Sequence, residues 1–409
     1  MRNTINILFL LTFICFTLPL SGQPIQLSPA PESGFSPDRL ARIAPVMQSY
    51  IDDNKTGGII SMIYRKGKVV HLETYGSQDK EMGKAMDENT IFRIFSMSKP
   101  VASVALMMLY EEGKFQLNDN VADYIPEFKN LKVYEHGKFM ELTNKMTIEH
   151  LLTHTSGLSY GWEPTYVDTL YAKAEIWNST SLQNFVEKIG NIPLNFQPGT
   201  QWKYGVSTDI VGYLVEVISG MPFDQFLQER LFDPLGMEDT GFFVPKEKQD
   251  RFAVVYGMDK TGQMVDIQTQ KTDLFLNRPP YASGGGGLVS TVSDYLRFAQ
   301  MLLNGGELDG VRILGRKTVE LMTMNHLADD VLYSPGNGFG LGFNVVENVA
   351  HTNNLGSDHT YSWSGMANTY FWIDPEEELI AMVWTQLLPF GIYPMASEFK
   401  TLVYQALID

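Results

Sequence analysis

Two short stretches of this 409-residue chain place a serine where it could act as a nucleophile. The first, Ser96-Met97-Ser98-Lys99, sets a hydroxyl and an amine three residues apart. Pro100 suits the first turn of a helix, where its missing N–H costs little, and an apolar pattern continues to Gly113. Residues i and i+3 project from one side of a helix, so the Lys99 amine can accept or relay the Ser96 proton if burial keeps it partly neutral. The positive end of the helix dipole favours negative charge developing at that serine. The second stretch, Gly157-Leu158-Ser159-Tyr160-Gly161, spells G-x-S-x-G, the pattern of a nucleophile elbow. An elbow needs a strand before its serine and a helix after it. Here "MTIEHLLTHTSGL" has helical spacing and stops at Gly157, while "YGWEPTYVD" carries Pro164 and no helical period. Asp358 and His359 follow in the order an elbow enzyme would use, but with seven histidines that order is easily met. Ser159 is read as a loop serine, and Ser96 as the nucleophile.

The elements that must hold Ser96 lie at both ends of the chain. In "SPDRLARIAPVMQSYIDDN", Ser36 can cap a helix, Pro37 fits its first turn, and Leu40, Ile43 and Met47 recur at helical spacing. "GGIISMIYRKGKVVHLETYG" reads as a hairpin turning at Arg65-Lys66-Gly67-Lys68. Near the other end, "NTYFWIDPEEELIAMVWTQ" is two apolar runs joined at Asp374-Pro375, and "PMASEFKTLVYQALID" has the pattern of a closing helix. Strands at both ends with a mostly helical middle predict an α+β architecture, its sheet assembled from the two termini. The glycines of "YASGGGGLVSTVSDYLRFAQMLLNGG" read as a turn before a capped helix ending at Asn304-Gly305. A phosphate loop would carry a lysine where Leu288 stands. His150 and His154 have the i, i+4 spacing of a zinc pair, but Leu151 occupies the place of a zincin glutamate, so capping or structural roles are expected.

Residues 1–22 combine Arg2, the apolar run "INILFLLTFICFTLPL" and the small residues Ser21 and Gly22, the layout of an export signal. The run is short for a membrane span, which takes ~20 apolar residues. The expectation is a protein exported to the periplasm or beyond, with no stable membrane span once the signal is removed. The single cysteine, Cys15, falls inside that run, so the mature chain is expected to have no disulfide and no thiol nucleophile. A net charge of −16 argues against gripping nucleic acid or an anionic membrane through the overall field.

Taken in order, Ser96–Lys99 and its helix, "LLTHTSGL" (151–158), "WKYGVSTDIVGYLVEVISG" (202–220), "LFDPLGMEDT" (231–240), the 283–306 glycine segment, "GFGLGF" (338–343) and "YSWSGMANTYFWIDP" (361–375) resemble the serine β-lactamase and penicillin-binding protein superfamily. The resemblance falls on its class C side, with the family VIII carboxylesterases, and covers roughly residues 35–408. It implies a β-lactamase/transpeptidase-like fold: an antiparallel sheet from both chain ends (about 35–95 and 285–409) flanked by helices, with an inserted helical lobe (about 96–284) in a single domain spanning 23–409. It also implies that Ser96 is acylated, with Lys99 and Tyr204 jointly handling its proton. The backbone N–H groups of Ser96 and Met366 would form the oxyanion hole, and Ser364 and Gly365 would contact substrate.

Two departures from the family pattern matter. Val206 stands where β-lactamases carry an asparagine that bonds the substrate amide, and Trp363 stands where they carry a lysine that helps hold its carboxylate. Losing both weakens recognition of anionic β-lactams, at ~1.5–3 kcal/mol per charge-assisted hydrogen bond, and an aromatic wall suits neutral acyl groups. The expected function is hydrolysis of carboxylic esters through an acyl-Ser96 intermediate, on a small-molecule ester or amide. The alternatives are a β-lactamase or D,D-carboxypeptidase, and then an acylated sensor that does not turn over. No cofactor or metal is implied, since the chemistry needs only side chains and water.

Overall fold

The longest strands lie towards the two ends of the chain and meet in one sheet. In the computed structural model, which describes residues 25–267 and 274–409, eight strands pair antiparallel throughout. The expected export signal lies outside the described residues. Helix α1 (Ile43–Asp52) leads into β1 (Gly58–Arg65) and β2 (Lys68–Asp79), and β3 (Lys84–Ala85) forms one edge. Lys66 and Gly67 both take positive φ, 49° and 84°, in a two-residue turn whose twist matches that of the strands it joins. After the middle of the chain come β4 (Asn337–Phe339), β5 (Asn344–Val346), β6 (Tyr361–Gly365), β7 (Thr369–Asp374) and β8 (Leu379–Trp384). The strand order β4-β5-β6-β7-β8-β1-β2-β3 seats the first strand against the last, from Ile60 opposite Trp384 to Arg65 opposite Leu379. The expected sheet built from both termini is what forms.

Both faces of this sheet are covered, so all eight residues of β1 are buried. Alternation sends Ile60, Met62 and Tyr64 into the large core shared with the middle of the chain, and Ile59 and Ile63 to the opposite face. There α1 and the closing helix α6 (Met395–Tyr404) supply Ile43, Met47, Phe399 and Val403. The expected first helix is split: Pro37–Leu40, capped by Ser36, ends before α1 begins. At and beside the break, Arg39 and Arg42 reach the backbone and side chain of Gln405, at 2.7 and 2.8 Å.

Between β3 and β4 the chain is mainly helical, with α2 (Ser98–Glu111), α3 (Ile148–Leu152), α4 (Ser207–Ser219) and α5 (Val292–Leu303). Among the short pairings not legible as strands are two small ribbons. One pairs Lys132–Glu135 with Lys138–Glu141, and the other pairs Tyr256–Met258 with Met264–Asp266 and Leu387–Leu388. Lys138–Glu141 is exposed along its whole length, so no inward-outward alternation marks it. Among the described residues, no single helix is long and apolar enough to cross a membrane.

Candidate active site

The turn carrying Ser96 is tighter than a helix start. A two-residue pairing, Phe92–Arg93 with Val289–Ser290, delivers the chain to Phe95, whose φ of +43° lies in the left-handed region. That conformation costs a non-glycine residue roughly 1–2 kcal/mol. Ser96 follows in a single 3-10 turn, and α2 begins only at Ser98, two residues later than expected. One local hydrogen bond and two from distant segments hold the strained turn. The Ser98 hydroxyl donates to the Phe95 carbonyl at 2.6 Å and accepts from the Leu288 N–H at 3.0 Å, while Tyr295 donates to the Met97 carbonyl at 3.0 Å. Ser96 remains half-buried at the N-terminal edge of a helix whose first twelve residues are all buried.

Lys99 is 1% exposed. Its Nζ donates to Ser96 Oγ at 3.2 Å, to Tyr160 Oη at 2.8 Å and to the Gly285 carbonyl at 2.6 Å. An ammonium has three donors, and these acceptors account for all of them. Tyr204 meets Lys99 differently: the amine sits 4.5 Å from the centre of its ring. The Tyr160 and Tyr204 rings stand edge to face at 5.3 Å. Burial pushes the Tyr160 hydroxyl well above the usual phenol range, and the neighbouring Tyr204 and Asp209 add to the shift, so it keeps its proton at neutral pH.

Ser96, Tyr204, Trp363, Ser364, Gly365 and Met366, far apart in sequence, share the wall of one cleft of about 600 Å³. Gly365 allows β6 to close on the serine turn, because a Cβ there would meet the Ile94 carbonyl oxygen at 2.4 Å. The Met366 backbone follows directly. Trp363 packs on Tyr204 and, edge to face, on Phe339, with ring centres at 5.7 and 5.3 Å. Val206 is a correction. It has no exposed surface and packs into the core at the start of α4, because the chain turns there and directs the side chain inward. Aromatic residues dominate the rest of the wall, Trp162, Trp177 and Trp202 among them, and no lysine or arginine lines it among the described residues.

Two sequence patterns resolve into structural roles. Ser159 is 2% exposed, and its hydroxyl accepts the Gly161 N–H at 3.2 Å in a loop. His150 forms a reciprocal cap with Thr147 at the start of α3, and His154 is buried among Trp202, Tyr204 and Phe339. Three residues at the site were missed: Tyr160, Asp209 and Gly285. Tyr160 was hidden in the pentapeptide set aside with Ser159. Asp209 left a trace, a lone acid directly before the apolar run of "VSTDIVGYLV".

A half-buried serine beside a buried lysine, at the junction of an antiparallel sheet and a helical lobe, is the arrangement of a β-lactamase-like serine hydrolase. The β-lactamase family model matches residues 43–403, and the chain belongs to that family. Protein Rv1367c of Mycobacterium tuberculosis is 33% identical over 356 residues, covering 83% of this chain and 88% of that protein. Esterase EstB of Burkholderia gladioli is 26% identical over 388 residues, covering 89% and 95%. Among solved structures, EstCE1, described as a hydrolase with promiscuous acyltransferase activity, superposes with a TM-score of 0.79 at 26% identity, covering 91% of this chain and 99% of its own.

Proposed function

We propose that this protein is an exported carboxylesterase acting on neutral, largely apolar esters through an acyl-Ser96 intermediate. The observation that carries the reading is the cleft itself: aromatic walls around Ser96, with Trp363 in place of a carboxylate-binding lysine. Ser96 Oγ attacks the ester carbonyl and its proton passes to the Lys99–Tyr204 pair, one member of which must first be unprotonated to take it, with the Tyr160 hydroxyl, which keeps its own proton, holding the Lys99 amine in line. The N–H groups of Ser96 and Met366 bind the tetrahedral oxyanion, an interaction worth about 10²–10³ in rate per donor in such sites. The alcohol leaves with the proton, and water, activated by the same base, releases the acid. The similarity to Esterase EstB supports this choice.

The test is a paired assay on the mature protein, a short-chain p-nitrophenyl ester against a chromogenic cephalosporin, with Ser96→Ala as the blank. Ester turnover with negligible cephalosporin hydrolysis supports the reading. Efficient cephalosporin hydrolysis replaces it with a β-lactamase, and an acyl-serine that forms but persists replaces it with a sensor. Trp363→Lys should raise acylation by anionic β-lactams relative to neutral esters by about tenfold, the worth of one weak charge-assisted bond. An unchanged ratio would remove Trp363 from the specificity argument. Export is tested by sequencing the mature N-terminus from the periplasmic and culture fractions.

A further inference from the structure

A buried carboxylate among the residues that line the cleft, close to the catalytic lysine, is unused by the mechanism above. Asp209, the third residue of α4, is 1% exposed. No cation bonds it directly among the described residues. Its Oδ1 accepts from the Ser283 hydroxyl at 2.5 Å and from the Gly285 N–H at 3.1 Å. Gly285 then turns its carbonyl to Lys99 Nζ at 2.6 Å. One residue of the glycine segment thus joins the site's buried anion to its buried cation, amide to one and carbonyl to the other.

The glycines at 284 and 285 are what allow this. A Cβ at 284 would meet the Thr208 carbonyl at 2.5 Å, and one at 285 would meet Asp209 Oδ2 at 2.4 Å. The segment earlier read as a plain turn is therefore a fitted bridge. A buried carboxylate without a bonded cation is costly, and an asparagine could accept the same two hydrogen bonds without that cost. What asparagine cannot supply is the charge.

We propose that Asp209 is a positioning residue that holds the Gly285 carbonyl on Lys99 and, through its negative charge, sets the pH at which the Lys99–Tyr204 pair becomes a working base. The proposal rests on the assignment of Ser96 and Lys99 made above. The groups that face Asp209 are Lys99 from α2, Tyr160 from the loop after α3, and Tyr281 and Ser283 from the glycine segment and the residues before it. Burial raises the Asp209 carboxyl, while the Ser283 bond and Lys99 oppose that rise. A carboxylate there favours the protonated, inactive form of the base pair, so removing its charge moves the acid limb of the reaction to lower pH.

The experiment follows the rate at which a fluorophosphonate labels the full-length mature protein between pH 5 and 9. In labelling, Ser96 Oγ bonds to phosphorus, fluoride leaves and the serine proton passes to the base, so the readout does not depend on which ester or peptide is the natural substrate. Asp209→Asn keeps an oxygen acceptor for Ser283 and Gly285 and removes the charge. Its acid limb should move about one unit towards lower pH, the low end of the effect of a neighbouring charge, with the plateau at pH 9 within threefold of wild type. An unmoved acid limb overturns the proposal. Ser283→Ala leaves the charge but removes one anchor of the bridge; it should lower the plateau at least threefold with no shift of the limb. A wild-type plateau, or a limb shifted as in Asp209→Asn, overturns the proposal even if the Asn variant does not fold. Failure of the wild-type protein to be labelled would instead sink the serine-hydrolase reading beneath it.

Discussion

Among the described residues, two serines sit within hydrogen-bond distance of a lysine or histidine, on opposite sides of the sheet. In the cleft, Ser96 Oγ lies 3.2 Å from Lys99 Nζ. Behind the sheet, Ser61 Oγ lies 2.7 Å from His71 Nε2, and Glu73 stands 4.0 Å from the other ring nitrogen. By residue type and distance, the second group looks more like a catalytic triad than the first. It faces no open space. Ser61 is inside β1 with no exposed surface, and the backbone around it is spent on the ladders to β8 and β2. An acyl group would have no room there and an oxyanion no free N–H. Burial pushes His71 down to about 4, so its imidazole stays neutral and serves as a hydrogen-bond partner within the packed layer. Ser96, by contrast, sits where a strand pair ends and a helix begins, on a strained turn at the edge of a cleft. The difference lies in where along its element each serine falls and what covers it.

The sharpest way to break this comparison is to delete each hydroxyl. Ser96→Ala should lower ester turnover at least 10³-fold, in line with loss of a nucleophile. Ser61→Ala should leave turnover within about twofold and lower stability by about 1–3 kcal/mol, because His71 Nε2 loses its partner in a buried layer. Urea denaturation beside the ester assay separates the two outcomes, and a large loss of turnover in Ser61→Ala would make the rear group functional.

Tyr160→Phe sharpens the description of the cleft side. It removes one of the three acceptors around Lys99 and should lower kcat/KM about 10- to 100-fold, the worth of a hydrogen bond to a charged group. A value within twofold of wild type would leave Tyr160 as packing alone.

The rear pair should show itself as pH-dependent stability. The folded value of His71 lies near 4, below its ordinary 6.5, so the unfolded chain binds the proton first as pH falls. The stabilisation is complete above about pH 6.5 and is lost towards pH 4, amounting to about 2 kcal/mol between pH 7.5 and 5. In His71→Gln that part of the acid slope should vanish in denaturation curves while the pH profile of turnover stays put. A matching change in the turnover profile would break the separation of the two regions. The smallest effect belongs to the third serine: Ser159→Ala should stay within about twofold of wild type, and a loss comparable with that of Ser96→Ala would restore the elbow reading.

Ser96 and Lys99 could be read because their relation is local, three residues on one short stretch. Tyr204, Trp363 and Met366 came from the motif order of a recognised family and do share the cleft. Val206 came by the same route and lies in the core, because a motif position carries no information about which way a side chain turns once the helix after it is packed. Tyr160, Asp209 and Gly285 were out of reach: they arrive from three separate segments and touch Lys99 or its bridge only after folding.

Hairpins, helix caps and the serine-lysine spacing depend on neighbours a few residues away, and so were already present in the order of amino acids. The split of the first helix, the closure of Gly365 onto the serine turn and the bridge through Gly285 required distant segments to meet. Which serine can meet a substrate was settled last, by the layers laid over each of them, since burial belongs to the assembled molecule and no window of neighbouring residues contains it.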